Sequence, residues 1–281
     1  RAARWYHTFE VLPGVVTPGR SIFDGRATLD SLGVPHDLRG ARVLDVGTWD
    51  GPLAFEMEER GAEVYAIDVQ NPDYTAFNTA KRVRNSGVKY IQASVYDLEK
   101  LFGKKKFDLI TYFGVYYHLK NPIGAFDVLS RALAEGGVLC LEGEVLANYS
   151  ETLIGKRSAL DNKALGESEV PLALCYPGSY KGVSNWFVPN VACLRSWLVA
   201  AGLEMTFYDL NLAEPEQSFP HQRIIAVARK SPDLVVLRET NIFKKDQEMP
   251  DDWGRQYSFL GIYMEREVPR TPAALALPRS A

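Results

Sequence analysis

Between residues 42 and 145, short apolar runs alternate with segments of helical period, and this alternation limits the fold more than any other feature of the chain. Val43-Leu44-Asp45-Val46-Gly47 reads as a buried strand running into a loop. Pro52 suits the first turn of a helix, where its missing N–H would have no partner anyway. Leu53 and Met57 share a face of that helix, and Gly61 is placed to end it. Glu63 to Ile67 gives a second strand that closes on Asp68. A helical pattern over Tyr74–Arg84, a strand over Val88–Ala93 and a strand over Phe107–Phe113 follow. Asn121 is a fitting cap and Pro122 a first helical residue. Phe126, Leu129 and Leu133 then fall at i, i+3 and i+7, with Gly136-Gly137 as the stop. Val138 to Leu141 is a continuous apolar run, the mark of a strand covered on both faces. Strands and helices in strict alternation mean βαβ units, a parallel sheet and right-handed crossovers.

After Glu144 the period breaks. Residues 146–187 are irregular and punctuated by Pro171, Pro177, Gly178 and Gly182, too long a stretch for a plain connection. Order returns with Val191, Leu194, Leu198 and Ala201 before Gly202. Two more strands follow, Glu204–Leu210 and Gln222–Arg229. The chain therefore divides into a cap segment over 1–38, a main domain over 39–230 with an insert at 146–187, and a tail over 231–281. In that tail Trp253, Tyr257, Phe259, Leu260 and Tyr263 suggest packing on the domain. With 46% apolar and 24% charged residues in 281, disorder, collagen-like repeats and disulfide scaffolds are excluded. No run of about 18 apolar residues predicts a membrane span. Arg1 in place of Met points to a trimmed start, and no signal peptide is read. Cys140, Cys175 and Cys193 are odd in number and far apart, which fits a reduced cytoplasm. Neither they nor His7, His36, His118 and His221 show metal-ligand spacing, so no metal is expected.

Asp45-Val46-Gly47-Thr48-Trp49-Asp50-Gly51 joins a buried strand to a helix start, where α/β sheets bind ligands. Gly47 and Gly51 let the backbone turn and approach a ligand. Asp68 stands at the end of the second strand, where an acid hydrogen-bonds ribose hydroxyls. A nicotinamide-dependent reductase would prefer Gly-x-Gly-x-x-Gly, and the Gly47-x-x-x-Gly51 spacing does not give it. Loop, acid and strand order together resemble the class I S-adenosylmethionine-dependent methyltransferases. Their acid-x-Gly-x-Gly-x-Gly motif is matched at Asp45, Gly47 and Gly51, and Trp49 stands where the middle glycine would be. The resemblance implies a Rossmann-like α/β fold: a seven-stranded, mostly parallel sheet with helices on both faces and a lid or insert. It implies S-adenosyl-L-methionine as cofactor, with Thr48 and Trp49 in its loop. Asp68 and Val69 would lie at the ribose, Ser94 and Val95 at the adenine with Asp97 as a second candidate, and Phe113 at the end of the fourth strand.

Phe113-Gly114-Val115-Tyr116-Tyr117-His118 follows that strand and, by the same resemblance, borders the transferring methyl group. A histidine near pKa 6.5 can take a proton at neutral pH, whereas tyrosine is more often a donor. His118, Tyr117 and His7 are thus the catalytic candidates. Trp5-Tyr6-His7 with Gly14-Val15-Val16-Thr17-Pro18-Gly19, and Ser184-Asn185-Trp186-Phe187-Val188-Pro189-Asn190, are similar to segments of the group acting on 5-hydroxyuridine at the tRNA wobble position. Trp5, Tyr6, Asn185 and Trp186 are then lid or acceptor-binding candidates, with core packing the plainer reading for the two tryptophans. Asn190 reads as a helix cap. The related carboxymethyl-transferring wobble enzyme holds its cofactor's carboxylate with a Lys, a Tyr and an Arg. Tyr117 corresponds to its Tyr and Arg223 is the candidate for its Arg, with a surface ion pair as the plainer reading. No lysine takes the third place, so ordinary S-adenosylmethionine is expected.

Two acceptors stay open. The formal charge of −3 argues against a broad nucleic-acid footprint and favours a small-molecule hydroxyl or amine, walled by 146–187 and the tail. A tRNA wobble base is the alternative. Its basic track would rest on Lys104-Lys105-Lys106 and Lys181, and a three-lysine turn is usually only a solvated loop. A catalytically degenerate, cofactor-binding partner subunit is the third possibility, motivated by Trp49. The oligomeric state is left open.

Overall fold

The computed structural model describes residues 3–151, 157–159, 165–178, 184–212, 222–231, 234 and 267–278. The apolar runs become one seven-stranded sheet. Its strands are β1 (Arg42–Val46), β2 (Glu63–Asp68), β3 (Lys89–Gln92), β4 (Phe107–Phe113), β5 (Leu133–Glu144), β6 (Leu203–Leu212) and β7 (Gln222–Lys230), in the order β6-β7-β5-β4-β1-β2-β3. The first five run parallel. β7 is antiparallel to both β5 and β6.

Alternation along the strands sends successive side chains to opposite faces. Leu44, Val46, Ile110, Tyr112, Leu139 and Leu141 go to one core layer, and Val43, Leu109, Val138 and Cys140 to the other. The first layer is covered by α5 (Pro122–Ala132) and α6 (Val191–Ala200), through Phe126, Leu129, Leu194 and Leu198. The second is covered by α1 (Gly25–Ser31), α2 (Pro52–Glu59) and α3 (Phe77–Arg84), through Leu29, Leu53, Phe55 and Phe77. Burying one Phe or Leu in this way contributes about 1.5–3 kcal/mol. A short α4 (Leu98–Phe102) precedes β4.

Several boundaries differ from the sequence reading. α3 starts at Phe77 rather than Tyr74, behind Ala76 in a left-handed conformation (φ 67°). α5 ends at Ala132, because Leu133 turns extended while its N–H still bonds to Leu129 O. Leu133 then pairs with Phe107, so β5 begins five residues before Val138 and Gly136-Gly137 falls within it. Asn121 Oδ1 caps α5 by accepting from Gly124 N–H, and Asn190 Oδ1 caps α6 by accepting from Cys193 N–H. α1 was not foreseen at all, although Asp24 caps it through Ala27 N–H.

Two ribbons form in the insert region, Tyr149–Glu151 with Arg157–Ala159 and Ala173–Cys175 with Phe187–Pro189. Of the tail, 267–278 lies along the domain. Leu275 is buried and bonds Gly33 O, and the Arg270 guanidinium stacks 4.1 Å from the Tyr208 ring centroid. The aromatic residues at 253–263, His221 and Lys181 fall outside the described residues. No helix among the described residues is long and apolar enough to cross a membrane.

Candidate active site

β1 and β4 are neighbours with their following loops on the same edge, where the strand order reverses. That is the crevice in which open α/β sheets take ligands. Gly47 takes φ 80°, which favours glycine, and a Cβ there would sit 2.3 Å from Val115 Cγ2 in the second loop, so any other residue would have to displace that side chain. Trp49, in place of the expected glycine, has φ 47°, so the chain keeps the left-handed turn and bears about 1–2 kcal/mol of strain. The Trp49 N–H donates to Asp68 Oδ2 at 3.0 Å, and Gln70 N–H to Asp68 Oδ1 at 2.9 Å. Burial pushes the Asp68 carboxyl up, while these backbone donors pull it back. Each oxygen keeps a lone pair for an incoming hydroxyl.

Asp45 is buried at the end of β1 and accepts from Thr111 Oγ1 at 2.6 Å across the β1–β4 pair. Burial raises its pKa, and the Thr111 and Thr48 hydroxyls oppose that rise. Thr48 Oγ1 lies near enough to act on Asp45 yet has no hydrogen bond of proper geometry. The N-cap of α2, Gly51, brings no side-chain cap, so the N–H groups that follow Pro52 in the first turn are open to an anionic ligand group. An open helix start, an unpartnered buried hydroxyl and a ribose-type acid suit a nucleoside carrying an amino-acid group.

Asp50, fully buried in the same loop, is a residue the sequence reading passed over. It accepts the Tyr6 and His7 N–H groups, both at 2.8 Å, and pairs with His7 Nδ1. His7 therefore fastens the N-terminal segment to the loop. Tyr6 lies 5.9 Å from the Trp49 ring, and Trp5 turns to the core, 6.3 Å from Phe9. Ser94 accepts from Tyr96 N–H while Asp97 accepts from Ser94 N–H. Both side chains help to close that turn. Val95 is buried in the core, Val69 is exposed and Phe113 is half-buried.

On the other side of the crevice, Arg223 on β7 is held bidentately by Glu142 (2.5 and 2.7 Å) and reaches Glu144 at 3.2 Å, both on β5. It also donates to Tyr117 Oη at 3.2 Å and lies 4.9 Å from that ring's centroid. Sequence foresaw a carboxylate partner for Arg223 but neither glutamate, since only the β5–β7 register brings them together. Burial pushes Tyr117 up to about 12, with Arg223 opposing, so its hydroxyl stays protonated and can donate. His118 Nδ1 lies 3.2 Å from Ser184 O, which places the proton on Nδ1 and leaves Nε2 as the acceptor. Burial lowers its pKa. Trp186 N–H bonds Tyr117 O at 2.7 Å, its ring lies under Lys120 (4.5 Å), and Asn185 is buried beside it. Lys105 and Lys106 reach Tyr65 Oη and Arg131 O rather than forming a free basic track. Among the described residues no group of three His, Cys, Asp or Glu side chains could hold a metal ion.

A family profile described as a methyltransferase domain matches residues 25–166. The tRNA U34 carboxymethyltransferase of Pseudomonas paraeruginosa is 33% identical over 189 residues, 65% of this chain and 52% of that protein. The chain thus spans about half the length of the curated relatives it matches. An S-adenosylmethionine-dependent methyltransferase from Mesorhizobium loti superposes with a TM-score of 0.52 at 18% identity, over 73% of this chain and 95% of that one. The [4+2]-cyclase SpnF superposes with a TM-score of 0.55 at 16% identity, over 82% and 88%. At such identities the two structures speak for the fold alone.

Proposed function

Because this chain belongs to the methyltransferase domain family, we propose that it moves a methyl group from S-adenosylmethionine to the hydroxyl oxygen of a 5-hydroxylated wobble uridine in tRNA. The observation that carries the acceptor is the 33% identity to a protein named for tRNA U34. This replaces the small-molecule acceptor that the mildly acidic composition favoured. Net charge averages a whole surface and says little about one mouth. At this mouth Arg4, Arg20 and Lys120 are exposed and stack on aromatic rings.

Bound S-adenosylmethionine supplies an activated methyl group together with its own leaving group. The residues around it position and exclude. Asp68 is set to hold the ribose hydroxyls, and the open start of α2 the amino-acid carboxylate. The Tyr117 hydroxyl donates to the acceptor, and His118 Nε2 takes the acceptor's proton as the methyl moves.

A second observation favours methyl over carboxymethyl. Arg223 is already engaged by two carboxylates, Glu142 and Glu144. It is therefore not a free cation for a carboxylate on the transferring group, and an unsubstituted methyl needs none. The test offers methyl-labelled S-adenosylmethionine with bulk tRNA or a small-molecule extract, followed by mass analysis of the nucleosides. Label in tRNA, lost to RNase and residing in a methylated uridine, is the expected result. Label only in the extract returns the reading to a small-molecule acceptor.

A further inference from the structure

Asn185 is 3% exposed, yet its Oδ1 has no hydrogen-bond partner, and no bond from its Nδ2 is found among the described residues. A buried carboxamide in this state costs about 1–3 kcal/mol, and native proteins rarely keep such a group without use. The residues on either side of it are tied by hydrogen bonds. Ser184 O is tied to His118 Nδ1, the Trp186 N–H to Tyr117 O, and Trp186 O to the Tyr176 N–H at 2.7 Å. Asn185 is thereby clamped on both flanks against the loop that carries Tyr117 and His118. Thr48 Oγ1, in the loop after β1, is another such atom. Tyr112 and Ser130, also unpartnered, are fully buried on β4 and α5.

The geometry points to Asn185 as the residue that reads the imide edge of the acceptor base, an inference that rests on the wobble-uridine reading above. A uracil ring presents N3–H beside a carbonyl oxygen. A carboxamide presents an acceptor beside a donor, so the two form a bidentate pair: N3–H to Oδ1, and Nδ2–H to the ring carbonyl. Pairing an orphaned buried group makes the gain on binding large. It also makes the loss large for any base that lacks the donor. No other side chain is needed to orient the ring edge-on, which leaves its C5 side free to face the methyl donor.

The test uses the full chain with S-adenosylhomocysteine and a synthetic anticodon stem-loop carrying uridine or 3-methyluridine at the wobble position, with binding read by anisotropy. Wild type should bind the uridine stem-loop at least tenfold tighter. Asn185→Leu should bind both equally weakly, and its KM for the RNA should rise more than its kcat falls. A structural asparagine would lower the melting temperature when replaced. Here Asn185→Leu should melt no lower than wild type, because an unpaired polar group has been removed. Equal binding of the two stem-loops by wild type, discrimination retained by Asn185→Leu, or a clear drop in its melting temperature would each overturn the assignment. Wild type that labels no RNA would show the wobble reading itself to be wrong and remove this inference with it. Labelled RNA without discrimination against 3-methyluridine would defeat the inference alone.

Discussion

His118 is a residue whose proton the backbone assigns: with Ser184 O at 3.2 Å from Nδ1, the second nitrogen is left free. Because burial moves its pKa below the usual 6.5, the imidazole stays neutral and base-competent into mildly acid solution. Protonation removes the base, so turnover should fall as pH drops through a midpoint below 6.5. An acid limb above that value would exclude His118 as the group responsible. Replacing it by Gln should lower kcat by about 10²–10⁴ while cofactor affinity, measured by calorimetry, stays unchanged. Asp68→Ala should do the reverse. It removes the acceptor of two loop N–H groups as well as the ribose contact, so cofactor affinity should fall by about 1.5–3 kcal/mol, or roughly 10- to 100-fold. Asp68 was legible in the sequence because its function follows from its place at the end of a strand. Asp50 was not, because its partners Tyr6 and His7 lie more than 40 positions away and nothing local announces them.

Trp49 shows how an element keeps its shape after losing the residue type that usually makes it. The β1–α2 loop needs a left-handed residue at this point, and the backbone adopts φ 47° even with an indole attached. The ring's neighbours compensate: Tyr6 at 5.9 Å, Tyr74 at 6.5 Å, and Arg4 O, which accepts from Nε1–H at 3.4 Å. Trp49→Gly should therefore leave cofactor affinity within about threefold, since the bond to Asp68 comes from the backbone. The relieved strain and the missing aromatic pairs, about 0.5–1.5 kcal/mol each, nearly cancel in the melting temperature. What should change is the N-terminal segment, with trypsin cutting faster after Arg4. Unchanged cleavage would mean the segment is held by Asp50 alone. Trp49 in the glycine loop motivates the degenerate-subunit reading, yet what the loop needs at this point is a positive φ, and Trp49 supplies it. Elsewhere the elements were readable wherever a cap or a glycine marks them, as at Pro52, Gly61, Asn121 and Asn190. They were misread where pairing with a neighbour overrides the local signal. Leu133 joins β4 by pairing with Phe107, and no helix-stop residue stands there to show it.

At the scale of the whole molecule, the strand order follows from the βαβ rhythm, but the acceptor's chemical class does not follow from the net charge. A formal charge of −3 is compatible with a local cationic edge, because long-range repulsion between exposed charges is screened beyond about 8–10 Å in physiological salt. Arg4 lies 5.5 Å from the Tyr74 ring centroid and Arg20 4.9 Å from that of Tyr6, with Trp49 between the two tyrosines. Neither arginine makes an ion pair among the described residues. Guanidinium groups laid on rings form flat surfaces for unstacked bases and keep outward N–H donors for phosphates, which is how single-stranded RNA is gripped. The bland reading is that the arginines only shield the rings from water. The two readings part on salt dependence. If both side chains bind phosphates, Arg4→Glu with Arg20→Glu should weaken tRNA binding uniformly across sequences. The slope of log affinity against log salt should become shallower by about 2, one unit for each arginine replaced. Cofactor affinity should stay within about twofold, because Asp50 and Asp68 hold the loop without either arginine. An unaltered slope with unaltered tRNA affinity would make the array a cover for the cofactor loop. The RNA track would then have to lie on another face of the domain.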